Sequence, residues 1–254
     1  MMMTICYFTA TGNCLYVAKS IGGKLLSIPQ LMKTEQFEIT DKAVGIVCPC
    51  YAVEMPMMVR EFIAKAKIQT DYFFFIYTYG SGYGEAFCHA KLAAEEAGLD
   101  LAYINAVKMV DNYLPGFEMQ EQIRTLPDKD VDGQIKKICS DISARKQVNI
   151  TVTDANRQQM EMYSNMLAGP ILKRTTAQKY VIDDTCIRCG ICAKVCPADN
   201  ITVGEQVVFS DHCEVCYACL HNCPMNALHI VPEQSSARFR NEHVELKDII
   251  EANQ

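Results

Sequence analysis

Eight of the fourteen cysteines fall in two short runs. CIRCGICAKVCP begins at Cys186 and CEVCYACLHNCP at Cys213. Each run spaces its cysteines C-x2-C-x2-C-x3-C and follows the fourth with proline. Thiolates at this spacing hold iron–sulfur clusters, and the fourth cysteine of each run ligates the other cluster. The spacing assigns Cys186, Cys189, Cys192 and Cys223 to one [4Fe–4S] cluster. It assigns Cys213, Cys216, Cys219 and Cys196 to a second. A short loop wraps three corners of a cubane, the fourth thiolate comes from elsewhere, and the two runs interlock. Zinc prefers paired C-x2-C units at wider separation. A disulfide knot needs a secreted context, and the N-terminus shows neither a basic leader region nor a small-residue cleavage site.

A second constellation lies at the start of the chain. Residues 3–8 (MTICYF) are an apolar run that suits a buried strand, and TATGNC follows directly. Leu15, Ala18 and Ile21 then share one helical face. Strand, hydroxyl-bearing loop and helix N-terminus together form a cradle for an anion, held by backbone N–H groups and the helix dipole. The loop is neither a Walker sequence nor G-x-G-x-x-G. It holds no lysine, which suits one phosphate monoester held by neutral donors. An ordinary capped turn is the competing reading.

The elements that must position these groups follow in order. Lys24–Ile28 reads as a second strand closed by Pro29, and Ala43–Cys48 as a third stopped by Pro49. Pro56–Lys67 reads as a helix with proline in its first turn. Asp71–Thr78 is the most apolar strand, Gly84–Ala97 a helix, and Leu99–Val107 a fifth strand. Continuous apolar strands alternating with helices predict a parallel sheet covered on both faces. Asp154–Leu167 carries a methionine stripe that reads as a packing face. From Lys179 two halves repeat as strand, cysteine loop, short helix and strand. A unit this small buries little apolar area, so its clusters are expected to act as its core.

The net charge is −6 and half the residues are hydrophobic. Nothing resembles the basic stripe of a nucleic-acid-binding surface. The longest apolar runs are too short to cross a bilayer. The six cysteines outside the runs (Cys6, Cys14, Cys48, Cys50, Cys88 and Cys139) read as buried thiols in a reducing compartment. A cytoplasmic location is expected, and the clusters suit an anaerobe.

TATGN after the first strand resembles the FMN phosphate loop of flavodoxins, and the whole chain is similar to a family of bacterial flavodoxin–ferredoxin fusions. The resemblance implies an α/β fold: a flavodoxin-like doubly wound five-stranded parallel sheet of order 2-1-3-4-5, then a small α+β bacterial-ferredoxin domain. It divides the chain into an FMN-binding domain at 1–150, a helical linker at 151–178, a two-cluster ferredoxin domain at 179–232 and a tail at 233–254. The tail has no assigned role. Thr9, Thr11, Gly12, Asn13 and Cys14 would surround the FMN phosphate. Pro49, Tyr51 and Ala52 after the third strand, with Tyr79, Gly80, Ser81 and Gly82 after the fourth, would line the ring. Tyr51 and either Tyr79 or Tyr83 are the stacking candidates, and Asp111, Asn112 and Tyr113 would close the far side. Cys14 departs from the family's threonine, and the loop after the third strand lacks the usual glycine.

FMN and clusters in one chain imply a carrier that relays electrons between FMN, two [4Fe–4S] clusters and redox partner proteins. Residues 179–232 hold six Asp/Glu against three Lys/Arg, a balance expected to steer them to a basic docking surface on a partner. Two alternatives stay open: an FMN-dependent reductase of a small molecule such as a quinone or flavin, and an iron–sulfur redox sensor. No catalytic constellation stands out. His212 and His221 flank cluster cysteines and read as packing or surface groups.

Overall fold

Five apolar runs become one sheet in the computed structural model, which describes residues 2–254. Its strands are β1 (Thr4–Tyr7), β2 (Lys24–Ser27), β3 (Val44–Pro49), β4 (Phe73–Tyr79) and β5 (Leu101–Lys108). All pair in parallel in the order β2-β1-β3-β4-β5. This is the flavodoxin-like order 2-1-3-4-5. β3 and β4 are buried along nearly their whole length, as strands covered on both faces must be. Gly45 leaves room for the Phe74 ring of the next strand, because a Cβ there would stand 2.1 Å from it.

The helices after the strands are α1 (Asn13–Ile21), α2 (Ile28–Thr34), α3 (Met57–Lys65), α4 (Ala86–Glu96), the short α5 (Met119–Arg124), whose Met119 packs into the cysteine-rich part, and α6 (Val131–Ser143). α1 packs with α6 on one face. α2, α3 and α4 pack in a row on the other, as right-handed crossovers require. The order of strands reverses between β1 and β3, and ligands of open α/β sheets sit outside the carboxyl ends of strands at such a point.

Several local expectations are corrected. Pro29 does not close β2; it opens α2, with the Ser27 hydroxyl accepting from Gln30 N at 3.5 Å. A proline in the first helical turn forfeits no hydrogen bond. A small parallel pair, Glu38–Thr40 with Lys67–Gln69, adds to the predicted elements. The methionine stripe lies on α7 (Asp154–Tyr163) and the π turn Ser164–Ala168 that continues it. Only Met160 is buried there; Met162 and Met166 face solvent.

In the cysteine-rich part, β6 (Tyr180–Ile182) pairs antiparallel with β9 (Leu228–Ile230), and β7 (Ile201–Val203) with β8 (Val207–Phe209). The first strand of one half thus pairs with the last of the other. The expectation that clusters alone act as its core is corrected: Tyr180, Ile201, Leu220, Leu228 and Ile230 form an apolar core of its own, and Val195, Cys216 and Ala218 pack into that of the large sheet. Buried Glu214 reaches α3 and accepts from Met58 N at 2.9 Å. The N-cap of that helix, Pro56, offers no side-chain acceptor, so the carboxylate satisfies an orphan N–H and lies at the positive end of the dipole. The segment after Pro232 turns back and ends in α8 (Leu246–Asn253), which packs against α2. Among the described residues, no helix is long and apolar enough to cross a membrane.

Candidate functional site

Loops at the carboxyl ends of β1, β3, β4 and β5 surround a cavity of about 210 Å³. Its walls include Thr9, Thr11, Asn13 and Cys14 from the first loop, and Pro49, Tyr51 and Ala52 from the second. Tyr79, Gly80, Ser81 and Gly82 come from the third loop and Asn112 from the fourth. Gly12 is not in the wall. It takes the left-handed conformation (φ 97°) that turns the loop into α1. Tyr83 also stays outside: its ring stacks on Phe87 at 4.7 Å. Tyr79 and Tyr113 are the tyrosines facing the cavity from the β4 and β5 loops.

Hydrogen bonds tie the loops together. Asn13 Nδ2 donates to Val110 O at 3.2 Å, and Asn112 Nδ2 to Thr11 Oγ1 at 3.2 Å. Asp111 accepts from Ser81 N and Tyr113 N, each at 3.2 Å. Burial raises its carboxyl above the ordinary range. Cys14 Sγ lies 3.1 Å from Thr78 Oγ1, and burial pushes the Cys14 and Cys50 thiols up to about 12. Both therefore stay neutral at physiological pH. The wall among the described residues holds no lysine, arginine or histidine. Ala52 and Val53 both have positive φ (48° and 64°), within a two-residue turn closed by Tyr51 N to Glu54 O at 2.8 Å. Tight primed turns of this kind usually carry Asn or Gly, so the missing glycine leaves strained backbone at the wall.

The residues fit a flavin mononucleotide. Thr9 Oγ1 is buried, faces the cavity and has no partner in the protein. A buried hydroxyl without a partner is costly, and a phosphate oxygen beside the N-terminus of α1 would satisfy it. Tyr51 supplies an aromatic wall and has a second unpartnered buried hydroxyl.

Sequence reasoning missed part of this wall. Phe117 and Val110 belong to the β5 loop, while Leu167, Ile171 and Leu172 come from the segment after α7. Val215 and Tyr217 come from the second cysteine run. These contacts join distant parts of the chain, and no local pattern announces them.

The eight run cysteines separate into two sets, each around its own small cavity. Cys186, Cys189, Cys192 and Cys223 line one. Cys196, Cys213, Cys216 and Cys219 line the other, with Glu214 and Tyr217. Each set takes three cysteines from one run and one from the other. Backbone left-handedness repeats at matching offsets: Arg188 with Val215, Gly190 with Tyr217, and Asp199 with Asn226. These turns aim N–H groups at sulfur. Val215 N donates to Cys213 Sγ, Asn200 N to Cys196 Sγ and Ala227 N to Cys223 Sγ, each at 3.3 Å. Hydrogen bonds to ligand sulfur are a standard means of setting cluster potential. Left-handed valine is an outlier that persists only where the surroundings enforce it. Four thiols about one void fit a cubane in each set.

The sets differ in exposure. Cys196, Cys213, Cys216 and Cys219 are all buried. Cys189 is exposed and Cys186 and Cys223 are half-buried. The buried set adjoins the larger cavity, since Tyr217 lines both and Val215 stands beside Cys216. His221 is buried, donates from Nε2 to Asn112 O at 2.8 Å and accepts at Nδ1 from Phe239 N at 3.1 Å. Burial lowers it to about 4, so it is neutral, and its ring links the β5 loop to the C-terminal segment.

Residues 178–224 match the family described as a 4Fe–4S dicluster domain. No curated protein sequence matches the chain. Among solved structures, it is similar to a flavodoxin from the domain Archaea, at 16% identity over 54% of this chain and 99% of that one, with a TM-score of 0.32. It is similar to rubredoxin oxygen:oxidoreductase from the anaerobe Desulfovibrio gigas, at 13% identity over 57% of this chain and 36% of that one, TM-score 0.36. It is also similar to the Trp repressor binding protein of Bacillus subtilis, at 9% identity over 55% of this chain and 96% of that one, TM-score 0.36. The fold assignment rests on strand order and connection, not on likenesses this distant. By its sheet and its cysteine runs, the chain joins a flavodoxin-like α/β unit to a 4Fe–4S dicluster segment, the arrangement of flavodoxin–ferredoxin fusions.

Proposed function

We propose that this chain is an electron-transfer flavo-iron–sulfur protein. FMN occupies the cavity above β1, β3, β4 and β5, and each thiol set holds one [4Fe–4S] cluster. FMN supplies chemistry in which electrons are taken in pairs and released singly, whereas a cluster carries one. The observation that carries the reading is the shared wall: Tyr217 lines both the flavin cavity and the buried thiol set. This contact supports a series from the cavity to the buried set, then to the exposed set.

The chain's own residues hold and insulate. Thr9, Thr11 and the N-terminus of α1 bind the phosphate. Tyr51 and Tyr79 flank the ring, and Leu167, Ile171 and Leu172 keep water from one side of it. Redox partner proteins meet the chain at the exposed set, where Ile187 and Met225 are exposed beside Cys189. Buried Glu214 adds nothing to the surface charge, and Asp199 is paired with Lys33 at 2.7 Å. Asp184, Glu205 and Asp211 remain exposed, but so do Lys179, Arg188 and Lys194, with Arg188 beside Cys189, so the docking contact rests on the apolar Ile187 and Met225 rather than on an acidic surplus.

The test is composition. Protein purified without oxygen is expected to carry about eight irons, an equal amount of sulfide and about one FMN per chain. Zinc in place of iron would refute the cluster assignment, and a chain that takes up no FMN on reconstitution would refute the flavin assignment.

A further inference from the structure

Residues 239–253 lie across the back of the loop that holds Thr9 to Cys14. Asn241 N donates to Thr11 O at 2.8 Å. Asn241 Nδ2 donates to Asn13 Oδ1 at 3.1 Å. Asn13 is therefore held from both sides, since its own Nδ2 binds Val110 O. The approach is close at Gly12, where a Cβ would stand 2.9 Å from Val244 Cβ and 3.1 Å from Asn241 Cβ. Farther along, Asn253 Nδ2 donates to Val195 O at 3.0 Å and lies 3.5 Å from Thr9 O.

The same segment is tied to the second cysteine run. Phe239 N donates to His221, His221 donates to Asn112 O, and Asn112 donates to Thr11 Oγ1. Asn241 closes the ring by returning to Thr11. One hydrogen-bonded circuit thus joins the loop at the start of the chain, the loop after β5, the helix turn at 218–221 and the C-terminal segment.

We infer that this segment is a strap that sets the phosphate loop for its ligand, with Asn241 as the positioning residue. The inference rests on the flavin reading. Asn241 does not face the cavity; it acts by fixing the Thr11 carbonyl and the Asn13 amide. A loop held in its bound conformation loses less freedom on binding, and the gain appears as affinity. The effect falls on the phosphate end, because the side-chain donor of Asn241 goes to Asn13 of the phosphate loop, and among the described residues no hydrogen bond runs from the strap at 239–253 to the loops at Tyr51 or Gly80 to Gly82. Its removal therefore weakens FMN and spares riboflavin, which has the ring without the phosphate.

The experiment uses the cluster-loaded chain freed of flavin, titrated with FMN and with riboflavin by fluorescence quenching. Asn241→Asp keeps the acceptor that receives His243 N and loses the donor to Asn13. It is expected to bind FMN about tenfold more weakly than wild type, with riboflavin unchanged within about twofold. Asn241→Ala removes the same donor without adding charge, and is expected to weaken FMN by about fivefold. Iron per chain should match wild type in both, which separates loss of positioning from loss of folding. FMN affinity within about twofold of wild type in the alanine variant would overturn the strap, as would an equal fall for riboflavin. Wild-type protein that binds FMN no more tightly than riboflavin would overturn the phosphate site itself, and the strap with it.

Discussion

Replacing Cys216 with alanine is expected to remove about four of about eight irons, leave FMN bound, and stop electron exchange between the flavin and a protein donor. Cys216 is buried in the thiol set that adjoins the flavin cavity. Its neighbours Val215 and Tyr217 form part of the cavity wall. Without that set, the exposed set remains reachable from solvent but has no neighbour leading inward. Cys189→Ala gives the complementary result. It also removes about four irons, but the flavin and the buried set stay in contact and still equilibrate after chemical reduction. Iron analysis and stopped-flow bleaching of the flavin absorbance distinguish the two variants. A Cys216→Ala protein whose flavin is reduced by a protein donor at the wild-type rate would show that the two sets do not work in series.

Gly12→Ala is expected to empty the flavin site. The residue takes φ 97°, where an L side chain costs about 1 kcal/mol or more. The added Cβ would also press on Val244 and Asn241 at 2.9 and 3.1 Å. Both neighbours are side chains of the strap, so relief comes by lifting it off the loop. FMN content after purification should fall at least about tenfold, with a lower Tm of about 2–4 °C for each kcal/mol lost. Gly22→Ala provides the control. It too has positive φ (85°), but a Cβ there meets nothing within 4 Å. Its Tm falls by the conformational cost alone, and FMN content stays at the wild-type level. Equal flavin content in the two variants would remove the strap from the account of the loop.

What could be read from the sequence was whatever depends on neighbours along the chain. The parallel sheet is written in runs such as DYFFFIYT, because a strand covered on both faces needs apolar residues at every position. The two C-x2-C-x2-C-x3-C runs carry their chemistry in their spacing. Pro29 misled because proline serves equally to end a strand and to open a helix. The methionines of α7 misled because helical spacing gives a face but not what covers it, and Met162 and Met166 remain exposed. Tyr79 and Tyr83 both suited the ring; only the fold shows that Tyr83 spends its face on Phe87. The strap was illegible for a different reason. Asn241 and Asn13 are 228 residues apart, and nothing in a polar tail says which loop it will cross.

In the proposed function, two interlocked clusters stand in series with a flavin, the buried one beside it. Anomalous diffraction at the iron edge from anaerobically grown crystals of the loaded protein tests this arrangement most directly. The expected map has one iron cluster among Cys196, Cys213, Cys216 and Cys219, flanked by flavin density against Tyr51. A second lies among Cys186, Cys189, Cys192 and Cys223, nearer the surface. Iron in a single set, clusters held by the four cysteines of one run alone, or flavin density away from the buried set would contradict the account.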